Sequence, residues 1–141
     1  MKDSTSAEFI GVIPKDMAVG PYWPQVAALI ERALPYGRGE YDIGDILDGV
    51  KSGRMFIVAV IGEQAEVQFA AACTPIQFPK KSVLFVLYGA GRGGSRAKDA
   101  LINACRRLEC DWIETRCRDS VARLYRRYGF DTGYSVPILE V

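Results

Sequence analysis

The chain contains no histidine among its 141 residues. This absence excludes histidine general bases, the Ser-His-Asp and Cys-His nucleophile systems, and metal sites that need an imidazole ligand. The four cysteines form no C-x-x-C pair, so the sequence predicts neither a zinc site nor a disulfide framework and suits a reducing cytoplasm. The longest apolar run, MFIVAVI, is far shorter than the roughly 20 residues that cross a bilayer. We therefore expect a cytoplasmic protein that involves no membrane and no metal.

Charge is balanced in total but unevenly distributed along the chain. The 18 basic and 17 acidic residues leave a net charge of +1, which gives no reason to expect a nucleic-acid partner. Residues 1–53 carry five Lys or Arg against eight Asp or Glu, a net of −3, whereas residues 92–127 carry ten against five, a net of +5. The two regions are either solvated surface or faces for different ligands.

Hydrophobic spacing divides the chain into helical and extended segments. Apolar residues recur at i, i+3 and i+4 in the predicted helices, and β-branched or aromatic runs between short turns form the predicted strands. The predicted helices are 21–34, 41–53, 96–109 and a segment from Asp119 or Ser120 to Gly129, and the predicted strands are 7–13, 54–61, 66–76, 82–88, 111–117 and 134–141. This β-α-α-β-β-β-α-β-α-β order predicts an α/β fold with a mixed sheet, in one domain over residues 1–141.

The segment LYGAGRGGSRAKDAL (87–101) joins a strand to a helix through glycines, an arrangement that commonly holds a phosphate. Gly91, Gly93 and Gly94 allow a tight turn and a close approach of backbone N–H groups to a pyrophosphate. The helix that follows directs its positive end at the same place, and Arg92 and Arg96 add guanidinium groups suited to phosphate oxygens.

Two phosphate-binding templates fit this segment. Gly89, Gly91 and Gly94 match the G-x-G-x-x-G fingerprint of dinucleotide-binding proteins. That fingerprint normally lies in the first βαβ unit of a parallel sheet, whereas here hairpin-linked strands precede it and only about 45 residues follow. Arg92, Ser95 and Ala97 match a coenzyme A loop of the form R-x-x-[G/S]-x-A.

Three segments, in order, resemble the GNAT superfamily of N-acetyltransferases. SGRMFIVAVIGEQAEVQFAAA (52–72) is similar to the first hairpin of that family, with Gln68 where glycine is common, and FVLYGAGRGGSRA (85–97) is similar to its acetyl-CoA loop. ARLYRRYGF (122–130) is similar to its last helix and the start of the next strand. The resemblance covers nearly the whole chain and implies the GNAT fold.

The resemblance also implies where acetyl-CoA, the acyl donor, binds. The pantetheine arm would pair with the exposed backbone edge near Phe85 and Leu87, because in the family this strand separates from its neighbour. The pyrophosphate would lie against the loop and the first turn of the helix, formed by Arg92, Gly93, Gly94, Ser95, Arg96 and Ala97. Ser95 stands where the family pattern has its first signature glycine.

For the chemistry, the resemblance assigns Tyr125 as the general acid that protonates the leaving thiolate. The alternative for Tyr125 is packing against Leu124 and Val121. The strand that often supplies a glutamate base has no acidic residue, so Glu114, acting directly or through water, is the best remaining carboxylate, although it could equally be a solvated strand residue. Arg118 occupies a position where the family often has a cofactor-binding asparagine.

Two functions are compatible with these residues. The first is an acetyl-CoA-dependent N-acyltransferase that moves an acetyl group directly to a primary amine on a small molecule or peptide. The second is a GNAT-fold binding or assembly module without catalysis. The acidic residues Glu40, Asp42, Asp45 and Asp48 predict a cationic acceptor. Pairing of two copies through the C-terminal strand is common in the family, so the resemblance also allows a homodimer.

Overall fold

The structure is a computed structural model and describes residues 9–92, 94–117 and 119–141. Its elements confirm the predicted fold class of a mixed sheet with helices on its faces. In chain order they are β1 Phe9–Val12, α1 Lys15–Val19, α2 Trp23–Ala33, a 3-10 turn Leu34–Tyr36, α3 Ile43–Lys51, β2 Phe56–Ile61, β3 Val67–Gln77, β4 Ser82–Gly91, α4 Ser95–Arg107, β5 Trp112–Thr115 and α5 Asp119–Arg127.

The five strands form one sheet in the order β1-β2-β3-β4-β5. The first four strands pair antiparallel, with short turns connecting β2 to β3 and β3 to β4 and the helices α1 to α3 connecting β1 to β2. β5 pairs parallel to β4, since the chain crosses over through α4 between them. The parallel pair of β4 and β5 therefore lies at one edge of the sheet, and β4 carries the glycine segment.

Each face of the sheet buries its own apolar cluster. Helices α1 to α3 cover one face, where Ile30 and Ile46 are fully buried against Ile57. Helix α4 covers the other face, where Ala100 and Ala104 pack with Leu84. Full burial of such an aliphatic side chain contributes about 1.5–3 kcal/mol to folding, so the helices are held to the sheet mainly by these faces.

Helix α3 begins at a capping box that uses two of the acidic residues. The Asp42 side chain accepts a hydrogen bond from the backbone N–H of Asp45 at 2.8 Å, and the Asp45 side chain accepts one from the backbone N–H of Asp42 at 2.9 Å. Each carboxylate thus satisfies an N–H group that the helix cannot pair. The cap fixes where the segment between the 3-10 turn and α3 must enter the helix.

Two predicted elements differ from the structure, and one element was not predicted. The short helix α1 after Pro14 lies between the predicted strand 7–13 and the predicted helix 21–34. Strand β4 runs to Gly91 instead of ending at Tyr88. The predicted strand 134–141 is wrong, because these residues form no ladder with the described strands and their apolar side chains are largely exposed. Pro137 lacks a backbone N–H donor, which makes that segment a poor strand.

Candidate active site

Strands β4 and β5 separate at Val86. Their parallel ladder runs from Val83 opposite Trp112 to Val86 opposite Thr115, while β4 continues to Gly91. On the other side of β4, the register with β3 shifts so that Leu87 is an extra residue, a β-bulge. A bulge bends a strand and increases its twist, which accounts for the divergence from β5. Beyond Val86 the described residues provide no strand on this side of β4, so an extended ligand can pair there.

The two residues predicted to border the pantetheine arm lie on different sides of this divergence. Phe85 lies inside the ladder, opposite Glu114, so its backbone belongs to the paired part of the sheet. Leu87 is the bulge residue at the start of the unpaired edge. The backbone edge available to a ligand therefore begins after Val86. Of the two predicted residues, Leu87 lies on this edge and Phe85 does not.

The glycine segment is mostly strand. Gly89 and Gly91 pair with Ala71 and Phe69 of β3. Gly91 has a φ of +117°, and a Cβ atom there would overlap the carbonyl oxygen of Gln68. The next backbone N–H, that of Arg92, donates to the same Gln68 oxygen at 2.7 Å. Two of the three fingerprint glycines thus belong to an antiparallel ladder, which contradicts the dinucleotide interpretation.

Helix α4 starts at Gly94, whose φ of +51° and ψ of −118° suit glycine. The first turn contains Ser95, Arg96 and Ala97 and no acidic residue. Backbone N–H groups in a first turn have no partner inside the helix, so they can donate to an anion. The prediction for Gly93 lies outside the described residues, and Arg92 is exposed beside the turn.

Tyr125 lies where β4 and β5 separate. Its phenol lies beside the side chain of Thr115, the last residue of β5, which lowers the Tyr125 pKa. The Thr115 hydroxyl donates a hydrogen bond of 3.2 Å to the backbone oxygen of Val86. Val86 is the last residue of β4 that pairs with β5. The ring packs on Phe130 with 5.0 Å between ring centroids. Tyr125 therefore both packs and places a hydroxyl at the opening between the strands.

Burial raises the pKa of the Tyr125 phenol above its ordinary value of 10.0, and the neighbouring sulfur groups of Cys117 and Cys73 raise the pKa further. The neighbouring Thr115 side chain lowers the pKa but does not reverse the shift. The hydroxyl consequently keeps its proton throughout the physiological pH range. A group of this kind can donate a hydrogen bond or a proton but cannot serve as a base there.

The structure does not bring Glu114 to Tyr125. Adjacent strand residues point to opposite faces, so Glu114 lies on the face covered by α1 to α3 while Thr115 and Tyr125 lie on the other. Glu114 is exposed, and its carboxylate accepts a long hydrogen bond of 3.5 Å from the Trp112 indole N–H. The prediction that Glu114 acts as a base stays a prediction.

Sequence reasoning missed two groups beside the opening. Arg116, directly after β5, forms an ion pair of 2.9 Å with Glu40, and its guanidinium lies 5.6 Å from the centroid of the Phe85 ring. Tyr128 reaches the loop from α5, since a Cβ atom on Gly94 would lie 3.4 Å from its hydroxyl. The sequence shows that an arginine and a tyrosine stand at these positions, but not what they contact. Arg116 and Glu40 are 76 positions apart in the chain, and Tyr128 and Gly94 are 34 apart.

Three of the four acidic residues of the 40–48 segment have partners within the protein. Arg116 neutralises Glu40 and, with the Arg38 backbone N–H, holds the pKa of the Glu40 carboxyl below its usual value. Asp42 and Asp45 form the capping box of α3. The charge that this segment offers to a cationic ligand is therefore smaller than the count of four carboxylates suggests.

No helix in the described ranges is both long and apolar enough to span a bilayer. Within the same ranges, no three cysteine, aspartate or glutamate side chains are grouped closely enough to hold a metal ion.

No family model matches the chain, and no curated protein matches it either. Its fold is nevertheless shared with solved structures. A tetramutant of BH1408 from Bacillus halodurans aligns with a TM-score of 0.66 at 12% identity, covering 94% of this chain and 99% of that one. An aminoglycoside acetyltransferase from an uncultured soil metagenomic sample, solved with trehalose, aligns with a TM-score of 0.67 at 10% identity, covering 94% and 93%. A protein described as a probable acetyltransferase gives 0.66 at 15% identity over 94% and 98%. The chain therefore shares its fold with these structures, two of which are described as acetyltransferases.

Proposed function

We propose that the protein is an acetyl-CoA-dependent N-acetyltransferase that transfers the acetyl group directly to a primary amine. One observation carries the proposal: the Tyr125 phenol lies beside Thr115, whose hydroxyl donates to Val86, the residue at which β4 and β5 separate. A proton donor at the base of an open strand edge is what a thioester transfer requires.

The residues around this opening fit acetyl-CoA. The unpaired edge of β4 from Leu87 onwards can hydrogen-bond an extended amide-containing arm. The first turn of α4 offers backbone N–H groups without an acidic side chain to compete for them, and Arg92 and Arg96 flank it. When bound, acetyl-CoA would supply the activated acetyl thioester.

Tyr125 contributes a proton at its hydroxyl oxygen. A coenzyme A thiolate resembles that of cysteine, with a pKa of about 8.5, so a phenol that keeps its proton at neutral pH can hydrogen-bond and protonate it. The buried hydroxyl is protonated at neutral pH and so has a proton to donate. The packing of Tyr125 on Phe130 holds the ring in one position.

The amine would approach from the face that carries α1 to α3, because α4 and Tyr125 occupy the other face. Two carboxylates lie on that face near the end of β5. Glu114 is the residue before Thr115, and Glu40 pairs with Arg116, the residue after it. Glu114 remains the proposed base, directly or through water. Likeness to an aminoglycoside acetyltransferase supports a small-molecule amine as the acceptor.

The test is calorimetric titration with acetyl-CoA, followed by coenzyme A release in a panel of small amines and peptides with free N-termini. Release should be measured by chromatography, since the exposed Cys117 would react with thiol reagents. We expect binding and amine-dependent release. Binding without release for any amine would favour the binding-module alternative, and absence of binding would contradict the proposal.

A further inference from the structure

Arg116 and Glu40 form a charged pair next to the opening. Arg116 follows Thr115, so its side chain points to the opposite face from Thr115 and Tyr125, the face from which the amine would approach. Glu40 comes from the segment between the 3-10 turn and α3 and meets Arg116 at 2.9 Å. The pair thus joins the end of β5 to the rim of the acceptor face.

Both charges are held in place although they are solvent-exposed. The second oxygen of Glu40 accepts a hydrogen bond from the backbone N–H of Arg38 at 3.3 Å, and the Phe85 ring lies under the Arg116 guanidinium. The side chains of Arg116 and Glu40 are 45% and 38% exposed. Such exposed ion pairs add little to stability, so the fold by itself does not explain why two charges are positioned here.

Each partner has unused hydrogen-bonding capacity. A guanidinium has five N–H donors, and Arg116 directs one nitrogen to Glu40. A carboxylate has about four acceptor sites, and Glu40 uses its two oxygens once each, for Arg116 and Arg38. A ligand that carries both charges can therefore add a bond to each partner without breaking the pair.

We propose that Arg116 and Glu40 bind an acceptor whose amine lies next to a carboxylate, the chemistry of an α-amino acid. Arg116 takes the carboxylate in a charge-assisted, two-pronged contact, and Glu40 takes the ammonium. This inference deepens the proposed function and rests on it for the transfer step. It also replaces the expectation of a purely cationic acceptor, because a pair with no net charge favours neither sign alone.

Aromatic contacts hold the segment that carries Glu40 against the sheet. Tyr88, which follows the bulge residue Leu87, is buried, and its ring packs edge-to-face on that of Tyr41 with 6.1 Å between centroids. Gly37 lies so close to Tyr88 that a Cβ atom there would be 2.7 Å from the Tyr88 hydroxyl. These contacts press the 37–41 segment against β4 and fix Glu40 relative to Arg116.

The test compares each of the twenty L-amino acids with its own α-amide, which keeps the amine and removes the carboxylate. Binding is measured by calorimetry with and without saturating coenzyme A, and turnover by chromatographic coenzyme A release with acetyl-CoA. We expect at least one amino acid to bind about tenfold or more tightly than its amide, as loss of a charge-assisted bond implies. If every amide binds as well as its acid, or if no amino acid binds, the inference is wrong.

Two variants assign the effect to the pair. Arg116→Gln should weaken the acid to about the affinity of its amide and leave the amide unchanged, whereas Glu40→Gln should weaken both. Arg107→Gln, the same change at an exposed position on α4 across the sheet, should change neither. A rise in the KM of acetyl-CoA in Arg116→Gln, with unchanged acceptor binding, would instead assign Arg116 to the cofactor.

The two proposals fail in different ways. If acetyl-CoA does not bind, the proposed function is wrong, but the amino-acid measurements without coenzyme A still test the pair. If acetyl-CoA is turned over with amines that lack a carboxylate and Arg116→Gln has no effect, the function stands and the acceptor inference does not.

Discussion

Replacing Tyr125 by phenylalanine removes one oxygen atom from the opening between β4 and β5. The ring and its contact with Phe130 remain, because only the hydroxyl is lost. The neighbouring Thr115 hydroxyl still donates to the Val86 oxygen at 3.2 Å. The variant therefore leaves no buried donor without a partner.

The structure sets different magnitudes for stability and for turnover. Loss of the hydroxyl lowers the free energy of unfolding by at most about 1.5 kcal/mol, the upper value for one hydrogen bond, and removal of a partly buried polar group offsets some of this. The melting temperature should then fall by no more than about 5 °C. Loss of a general acid lowers kcat by about 10²–10⁴-fold, which is about 3–5 kcal/mol in the activation barrier.

The assay is coenzyme A release at saturating acetyl-CoA, with acetyl-CoA affinity measured separately by calorimetry. Tyr22→Phe is the matched control, since Tyr22 packs against the α1–α3 cluster and lies away from the opening. We expect Tyr22→Phe to keep full activity and Tyr125→Phe to bind acetyl-CoA normally while losing turnover. If Tyr125→Phe turns over as fast as the unmodified protein and only Tyr125→Ala is impaired, Tyr125 is a packing residue.

Three further predictions concern the loop, the helix cap and pH. Gly94→Ala forces a Cβ atom into a φ of +51°, a strain of about 1–3 kcal/mol, so it should weaken acetyl-CoA binding by about tenfold. Gly53→Ala imposes a similar strain at a φ of +81° just after α3 and should not weaken binding; equal effects in calorimetry would contradict this. Asp42→Ala should lower the free energy of unfolding in urea by about 1 kcal/mol and Asp42→Asn by much less, and equal losses would show that charge matters more than the cap. Burial raises the pKa values of Tyr88 and Tyr125, so the stability that they contribute is present below about pH 10 and lost as pH rises above it. Tyr125→Phe should therefore lessen the fall in melting temperature at alkaline pH, and an unchanged fall would contradict the raised pKa of Tyr125.

The order of elements and the faces of the helices could be predicted from local patterns. The i, i+3, i+4 spacing of Val26 and Ile30 gave α2, and the buried faces in the structure are those that the spacing predicted. The extended segments could be read in the same way, apart from 134–141, where β-branched residues suggested a strand that has no partner in the described sheet. A strand depends on a neighbour that the sequence pattern does not reveal.

The candidate site was predictable only in part. Tyr125 and the first turn of α4 follow from motifs that keep their spacing in the chain, so a resemblance can locate them. The predicted edge at Phe85 was misplaced, because the bulge at Leu87 depends on the register between β3 and β4. The sequence pattern predicted a loop at Gly89 and Gly91, but both belong to strand β4. Gly91 has to be glycine because its backbone lies against Gln68 and Phe69, where a Cβ atom would not fit.

The sequence by itself determined the fold class, the residue types available for chemistry and the exclusion of every mechanism that needs histidine. Those properties depend on composition and on spacing along the chain, which are local. Only the tertiary structure decided that Arg116 meets Glu40 and that Tyr125 reaches Thr115 at the end of the β4–β5 ladder. Glu40 and Arg116 are far apart in sequence, and their meeting depends on how α3 and β5 pack on the same sheet, which no local pattern specifies.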